Sequence, residues 1–405
     1  PTGGIPVNHP ETDSPAEEAG KRARSLRLGR RVLEIGISVA LLFTVPHLWC
    51  GRHAGRWYRG EAKLQEKFGR AVARWMESGI RAEHFDTVGH LFDAEWAFGT
   101  YFAAGMGYGQ VALEHPELRE DCLRRMDFAI EQLLTDDIRA FDRESWNEDP
   151  LLTLDGDNGH AAYLGYLNLL LSLRRLVRTD GTHADINDRI TETLARRLGG
   201  SPTLLLQTYP RETYPVDNCA AIGSIGLYDR ATGADHAALL QRWVEKCKAD
   251  YIHPETGLLY QAVGHRNGDP LDAPRGSGTA LGLYFLSFSH PELSAELYRA
   301  VKAELASRVL GFGGVREYPR SWPDGRGDVD SGPIVWGFGM SATGFALGGA
   351  RVHDDRAHFA DLYATAHLVG APVARGGEFT FLTGGPLGDA LMFAMLTAQS
   401  PREAR

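Results

Sequence analysis

From about residue 60 onward, apolar positions recur at the spacing of an α-helix, interrupted at intervals by Gly, Pro and Asp. The pattern predicts twelve helical segments, near 62–79, 93–113, 117–134, 158–178, 184–198, 217–232, 236–250, 276–288, 292–309, 331–350, 354–369 and 386–398. Sustained period-two alternation is scarce, with short extended pieces expected around 203–206, 258–262 and 378–382. The segments alternate in character. The odd ones are amphipathic and charged, as in Glu117-Leu118-Arg119-Glu120-Asp121. The even ones are apolar on all sides and rich in Gly and Ala, as in Ala103-Ala104-Gly105-Met106-Gly107-Tyr108-Gly109. A helix without a polar face has to be buried all round.

The connections alternate too. Even-to-odd links are short and alike: His115-Pro116-Glu117-Leu118, Gly233-Ala234-Asp235-His236, His290-Pro291-Glu292-Leu293 and His353-Asp354-Asp355. Short links make antiparallel helix hairpins. Six hairpins with alternating buried and exposed helices make an all-α (α/α)6 toroid, an inner ring of helices inside an outer one, expected over residues 61–400. The odd-to-even links are long and rich in Gly, Pro, Trp, Tyr and Asp. Each enters an inner helix at its N-terminus, so all of them gather at one mouth of the ring. Loops on a rigid scaffold carry binding groups, and helix N-termini favour anions. The site is expected at that mouth.

Ahead of the toroid the pattern differs. Residues 1–31 read as a disordered tail that becomes basic from Lys21 to Arg31, and Pro as first residue suggests a start that is processed, trimmed or taken from inside a longer chain. Residues 32–60 read as an apolar helix. Its stretch 32–49 just reaches the length that spans a bilayer, with Glu34 and Pro46 inside it. Basic residues before it would keep the N-terminus cytoplasmic, but Arg52, Arg56 and Arg59 follow and blur the asymmetry. Two expectations stand: a single membrane-anchoring helix, or a helix of a soluble protein packed on the toroid or on a neighbouring subunit.

The mouth loops hold the candidate chemistry. Asp155-Gly156-Asp157-Asn158-Gly159-His160 precedes the second inner helix, where His160 is a catalytic candidate and Asp157 a binding one. Before the third stands Thr208-Tyr209-Pro210-Arg211-Glu212-Thr213-Tyr214-Pro215-Val216-Asp217-Asn218. Asp217 there either caps the helix or acts as a general acid, with Tyr209, Tyr214 and Asn218 lining the pocket. Arg275 before the fourth inner helix suits a carboxylate partner. Glu317, Tyr318 and Trp322 precede the fifth, running on to Asp328 and Asp330, which lie two apart and either cap the helix, bind a cation or share acid and base roles. His84, Asp86, His90 and Asp93 are weaker candidates, and the glycines of 105–109 belong to helix packing.

Composition narrows the classes. A formal charge of −9 over 405 residues argues against nucleic-acid binding. The four cysteines, Cys50, Cys122, Cys219 and Cys247, lack the spacing of a zinc site or a disulfide framework. Walker, Rossmann, HExxH and GxSxG motifs are missing, so no cofactor and no metal is expected.

Several stretches together resemble the linalool dehydratase-isomerase family. They are Tyr214-Pro215-Val216-Asp217-Asn218-Cys219 through Tyr228-Asp229-Arg230-Ala231-Thr232-Gly233, Asn158-Gly159-His160, His253-Pro254-Glu255-Thr256-Gly257 and Val315-Arg316-Glu317. The resemblance spans most of 90–400 at low identity. It implies an (α/α)6 barrel, a homo-oligomer, and metal-free acid/base chemistry on a terpene alcohol. His160 matches the family histidine, but the two family cysteines are replaced by Thr208 and Asp217, and Cys219 is two residues out of register.

The reading that follows is a cofactor-independent lyase, isomerase or cyclase acting on a small hydrophobic isoprenoid substrate, with Asp217 as general acid. The first alternative is a carbohydrate-active (α/α)6 enzyme, such as a glycoside hydrolase, with Asp217 and Asp328 or Asp330 as paired carboxyls. The second is a non-enzymatic binding toroid whose acids are only caps.

Overall fold

The computed structural model describes residues 15–399 except 88, 323, 324, 326, 328–330 and 336. The chain divides into two compact units, Pro1–Trp49 and Cys50–Arg405. The first contains most of one long helix, α1 (Pro15–Gly51). It starts within the stretch expected to be a disordered tail. Ala, Glu, Lys, Arg and Leu dominate that stretch, and all five are strong helix formers.

The second unit is the toroid. Its helices are α2 (Ala54–Tyr58), α3 (Ala62–Glu77), α4 (His90–Glu114), α5 (Arg119–Leu133), α6 (Ala140–Trp146), α7 (Tyr166–Val177), α8 (Ala184–Gly200), α9 (Pro215–Thr232), α10 (Ala237–Lys246), α11 (Gly276–Leu286), α12 (Pro291–Ala300), α13 (Met340–Val352), α14 (Arg356–Gly370) and α15 (Gly385–Thr397). Helices α4, α7, α9, α11, α13 and α15 form the inner ring. Each packs on the next, and α15 returns to α4 and closes the circle. Helices α3, α5, α8, α10, α12 and α14 lie outside them, so the (α/α)6 architecture is as the alternation predicts. The first and last helices of the ring meet directly, α3 against both α4 and α15.

Closure rests on two devices. The first is small residues on the inner helices. A Cβ at Gly107 of α4 would stand 2.3 Å from the Phe393 ring of α15, and one at Gly223 of α9 would stand 2.4 Å from the Phe285 carbonyl oxygen of α11. The backbones approach as closely as they do because no side chain intervenes. The second is Arg351, in the last turn of α13. Its guanidinium is buried and donates to the carbonyls of Leu396 (2.7 Å), Ala398 (2.7 Å) and Trp57, binding the end of α15 to α2. These are the terminal carbonyls that a helix cannot satisfy within itself.

Three small antiparallel hairpins occupy long links: β1 (Ala306–Val309) with β2 (Phe312–Val315), β3 (Ile334–Val335) with β4 (Phe338–Gly339), and β5 (Pro372–Arg375) with β6 (Glu378–Phe381). The piece expected at 378–382 is β6. At 258–262 only single bridges form, Ile252 with Leu259 and Tyr260 with Pro274, and 203–206 is a turn with Leu204 at φ 53°. The segment expected as helix to 309 ends in β1. Its partner β2 contains Gly313 and Gly314, which show no alternation to read, yet leave room for Asp361 and the Phe338 ring. The segment expected from 331 becomes helical only at Met340.

Gly223→Ala is expected to destabilise the toroid by about 1–3 kcal/mol, because the added methyl meets a backbone carbonyl that cannot swing away. Urea unfolding of the two proteins measures it; an unchanged midpoint would show that the inner ring has slack.

Candidate functional site

The inner helices begin at the same mouth, and the first turns of α4, α7, α9, α11 and α13 carry polar side chains. In α9, Pro215 occupies the first helical position and needs no hydrogen-bond partner for its nitrogen, so the chain turns inward directly after Tyr214. Asp217 follows in the first turn and is buried. It does not cap the helix. Tyr166 of α7 donates its hydroxyl to Oδ1 at 2.8 Å, and Thr208 donates to Oδ2 at 2.7 Å. Two neighbouring elements thus orient one carboxyl. Asn218 serves the backbone instead. It accepts from the Leu206 amide (2.7 Å) and donates to the carbonyls of Leu206 (3.0 Å) and Tyr214 (3.1 Å). These bonds anchor the loop that carries Thr208 and Tyr209.

Tyr209 stands within the field of two carboxyls. Burial pushes its phenol well above the ordinary value, and the negative charges of Glu95 and Asp217 add to the push, Glu95 also as a hydrogen-bond partner. Glu95 sits in the second turn of α4. The loop before α9 therefore carries Tyr209 to where the charges of both Glu95 and Asp217 act on its hydroxyl.

His160 is buried and held at φ 50°, a conformation unusual for a residue with a side chain. The neighbouring Gly159 is needed because a Cβ would lie 2.2 Å from the Gln207 carbonyl oxygen, so the loops entering α7 and α9 are pressed together here. His160 Nδ1 lies 2.5 Å from Asp142 Oδ2, and Nε2 lies 2.9 Å from Glu148 Oε1. The Trp146 ring packs over the imidazole at 4.7 Å. Burial raises the Asp142 carboxyl, offset in part by His160. Burial also acts upward on Glu148, but hydrogen bonds from His160 and Asn158 outweigh it and hold Glu148 below its ordinary value. Glu148 is consequently the carboxyl held more firmly as the anion, and Asp142 the one that burial works against.

Arg275 and Glu317 find each other. Arg275 Nε donates to Glu317 Oε1 at 2.8 Å, both side chains are almost wholly buried, and Ser277 Oγ donates to the same oxygen. The Gly276 amide donates to the Glu317 carbonyl at 2.8 Å, and the guanidinium lies 5.6 Å from the centre of the Tyr318 ring. This pair joins the start of α11 to the link after β2.

The remaining candidates scatter. Tyr214 donates to Glu212 at 2.8 Å on the rim, and Trp322 stands edge-on to His253 at 5.2 Å. Asp157 is exposed and paired with Arg196 of the outer helix α8 at 3.0 Å. Asp93 accepts from the Thr87 amide, His90 pairs with Glu144, and His84 bonds within its own turn. Asp328 and Asp330 lie outside the described residues. Among the described residues no cluster of three His, Cys, Asp or Glu side chains has the arrangement of a metal site.

Sequence reasoning missed Glu95, Tyr166, Asp142, Trp146 and Glu148. Asp142, Trp146 and Glu148 lie on and just after α6, in a link whose seven-residue helix is too short for periodicity to reveal. Glu95, an acid on a helix that turns fully apolar two residues later, was the readable signal.

No known family model matches the chain. Solved structures do resemble it. An inactive variant of the α-1,6-mannanase of Salegentibacter sp. HEL1_6, in complex with α-1,6-mannotetrose, matches with a TM-score of 0.50 at 12% identity, covering 82% of this chain and 98% of that one. An unsaturated glucuronyl hydrolase specific for heparin gives 0.49 at 11% identity over 83% and 96%. A family 76 α-mannanase of Bacteroides thetaiotaomicron gives 0.47 at 10% identity over 74% and 84%. The likeness at 0.50 agrees with the toroid that the helix packing shows.

It also overturns the resemblance to linalool dehydratase-isomerase, and with it the terpenoid lyase, isomerase or cyclase reading and the small hydrophobic substrate. The protein that matches at 0.50 is a mannanase, and it holds an oligosaccharide. Much of the stretches behind that resemblance serves the scaffold. Tyr228 donates to Asp188 at 2.8 Å, and Asp229 accepts from the amide and the ring of His236 at 2.8 and 2.6 Å, fixing the α9–α10 link. His253 to Gly257 is a turn closed by a 2.8 Å amide bond, with Gly257 at φ 69°. Cys219 is packed in the core, where burial drives its thiol well above the ordinary value, so it offers no reactive thiolate.

Asp142→Ala strips His160 of a buried partner and is expected to cost about 3–5 kcal/mol in unfolding free energy. The exposed Asp157→Ala should stay within about 0.5 kcal/mol of the parent. Equal losses would contradict the burial described. Because Glu148 is held below its ordinary value of 4.5, its contribution to stability is full above that pH and is lost as pH falls through the depressed value. Below about pH 4.5 the parent should therefore lose stability more steeply than Glu148→Gln in urea titrations at stepped pH.

Proposed function

We propose that this chain is a carbohydrate-active enzyme of the glycoside hydrolase type, cleaving an oligosaccharide at the mouth of the inner ring. The carrying observation is Asp217, a buried carboxyl in the first turn of an inner helix aimed by the Tyr166 and Thr208 hydroxyls, with Glu95 as a second carboxyl close enough to act on Tyr209 beside it. Hydrolysis of a glycosidic bond needs two carboxyls across the scissile bond. One protonates the departing oxygen; the other activates a water molecule or attacks the anomeric carbon. Asp217 suits the second role, since both its oxygens accept hydroxyl hydrogens and its lone pairs are thereby aimed. Glu95, the second carboxyl, is assigned the proton donor, a role that requires it to be protonated when the sugar is bound. In either route the proton goes to the departing sugar oxygen and the water oxygen ends on the anomeric carbon.

The aromatic rings at the mouth support this reading. Tyr209 and Tyr214 give partly exposed flat faces of the kind sugar rings stack on, with hydroxyl groups beside them. The oligosaccharide held by the Salegentibacter mannanase supports the substrate class. His160 is assigned a positioning role through Glu148, because it is fully buried and cannot itself meet a substrate.

Incubation of the protein with a panel of oligosaccharides, α-1,6-mannotetrose included, and mass spectrometry of the products tests the proposal. Asp217→Asn and Glu95→Gln should each lower turnover by about 10²–10⁴-fold while the circular dichroism stays unchanged. Asp328→Asn and Asp330→Asn, the other acidic pair in the mouth loops, are run alongside. Full turnover by folded Asp217→Asn would rule this pair out.

A further inference from the structure

Helix α1 has a surface that a water-soluble helix does not need. Its apolar residues are not arranged as a stripe: Val32, Leu33, Ile35, Leu41 and Val45 fall on all sides of the axis at 100° per residue, and each is exposed by 46% or more. None of its most apolar 18-residue stretch is buried. An amphipathic helix lying on a membrane surface would keep one charged face, and this stretch has none.

The polar groups inside the stretch are matched within the helix. Glu34, its one acidic residue, pairs with Arg30 one turn earlier at 2.8 Å. Thr44 donates its hydroxyl to the Ala40 carbonyl at 2.7 Å. Such internal pairing is what a segment requires where water is absent. Pro46 withholds one backbone donor, a loss that spanning helices tolerate. Twenty residues separate Arg31 from Arg52, which at about 1.5 Å each is about 30 Å, the thickness of a bilayer's hydrocarbon core. Arg30 and Arg31 flank the stretch on one side, Arg52, which lies 3.2 Å from His367, follows it on the other, and Trp49 falls at the interfacial level that tryptophan favours.

We infer that α1 spans a lipid bilayer through residues 32–49 and tethers the toroid to that membrane. Such anchoring is independent of the reaction proposed above.

The test uses the full chain, translated in the presence of preformed vesicles of equal parts phosphatidylcholine and phosphatidylglycerol. The vesicles are washed in alkaline carbonate and floated through a density gradient. The expected result is intact chain floating with the lipid after the wash. Leu41→Arg/Leu42→Arg, at the middle of the span, should reduce the floating fraction at least about tenfold. Leu41→Ala/Leu42→Ala should float like the parent. Release of the unaltered chain by carbonate would overturn the inference, as would cleavage within 32–60 seen by intact mass, which would mark a removable signal. So would equal flotation of the arginine variant. Self-association of the chain in solution with no flotation would mean that a second copy, not lipid, covers the helix. The flotation of the unaltered chain decides the matter even if the arginine variant fails to fold.

Discussion

Everything at the mouth of this protein depends on how closely six inner helices approach one another. Where Gly107 faces the Phe393 ring and Gly223 faces the Phe285 carbonyl, a single methyl group would push the helices apart. The ring is closed by backbone and small side chains, and it is bolted at the far end by Arg351, which binds the last carbonyls of α15 and the Trp57 carbonyl of α2. Dense interiors transmit displacement rather than absorb it. A ring that can neither spread nor twist fixes the positions of its helix starts, and the functional groups are set on those starts.

The mouth is consequently a place where long loops are ordered by each other. Gly159 lets the loop entering α7 lie against Gln207 of the loop entering α9, and Asn218 holds that second loop by three bonds to its backbone. Arg275 and Glu317 do the same between the start of α11 and the link that leads to α13. These ties involve buried polar groups, costly to bury and costlier to leave unmatched, so each loop has one arrangement in which all are satisfied. Asp217 inherits its geometry from that arrangement. Its partners, Tyr166 and Thr208, come from two different elements, and only the closed ring brings them to the same carboxyl.

The fold was legible because its two signals are independent and agree. The apolar character of 103–109 against the charged 117–125 indicates which helix is inside, and the short His-Pro-Glu-Leu links indicate which helices are neighbours. Candidate residues were legible where they stood in the loop just before an inner helix, as His160, Asp217, Arg275 and Glu317 did. What those residues bind was not. Arg275 was expected to hold a carboxylate and does, but the carboxylate is Glu317 of this chain rather than a ligand. Asp217 was weighed as a cap or an acid, whereas its oxygens face hydroxyls from Tyr166, 51 residues away, and Thr208. Asp142 and Glu148 escaped notice because α6 is two turns long, and no periodicity accumulates over so few residues.

The misleading part of the sequence is as instructive as the legible part. Gly-His before an inner helix, Tyr-Asp-Arg at the end of one, and His-Pro-Glu-Thr-Gly in a link together suggested a particular chemistry. In the structure they solve problems that belong to the ring: a close crossing of two loops at Gly159, a stapled hairpin at Asp229, a reversed turn at Gly257. A fold built from repeated hairpins meets those problems six times over, so its members come to share such solutions whatever they act upon. The informative residues are instead those whose burial the ring does not require. A carboxyl in the first turn of a helix that already has proline at its start, oriented by two hydroxyls and acting with Glu95 on one tyrosine, is stabilised by the toroid without contributing to its closure. That is the asymmetry by which chemistry can be told from architecture here.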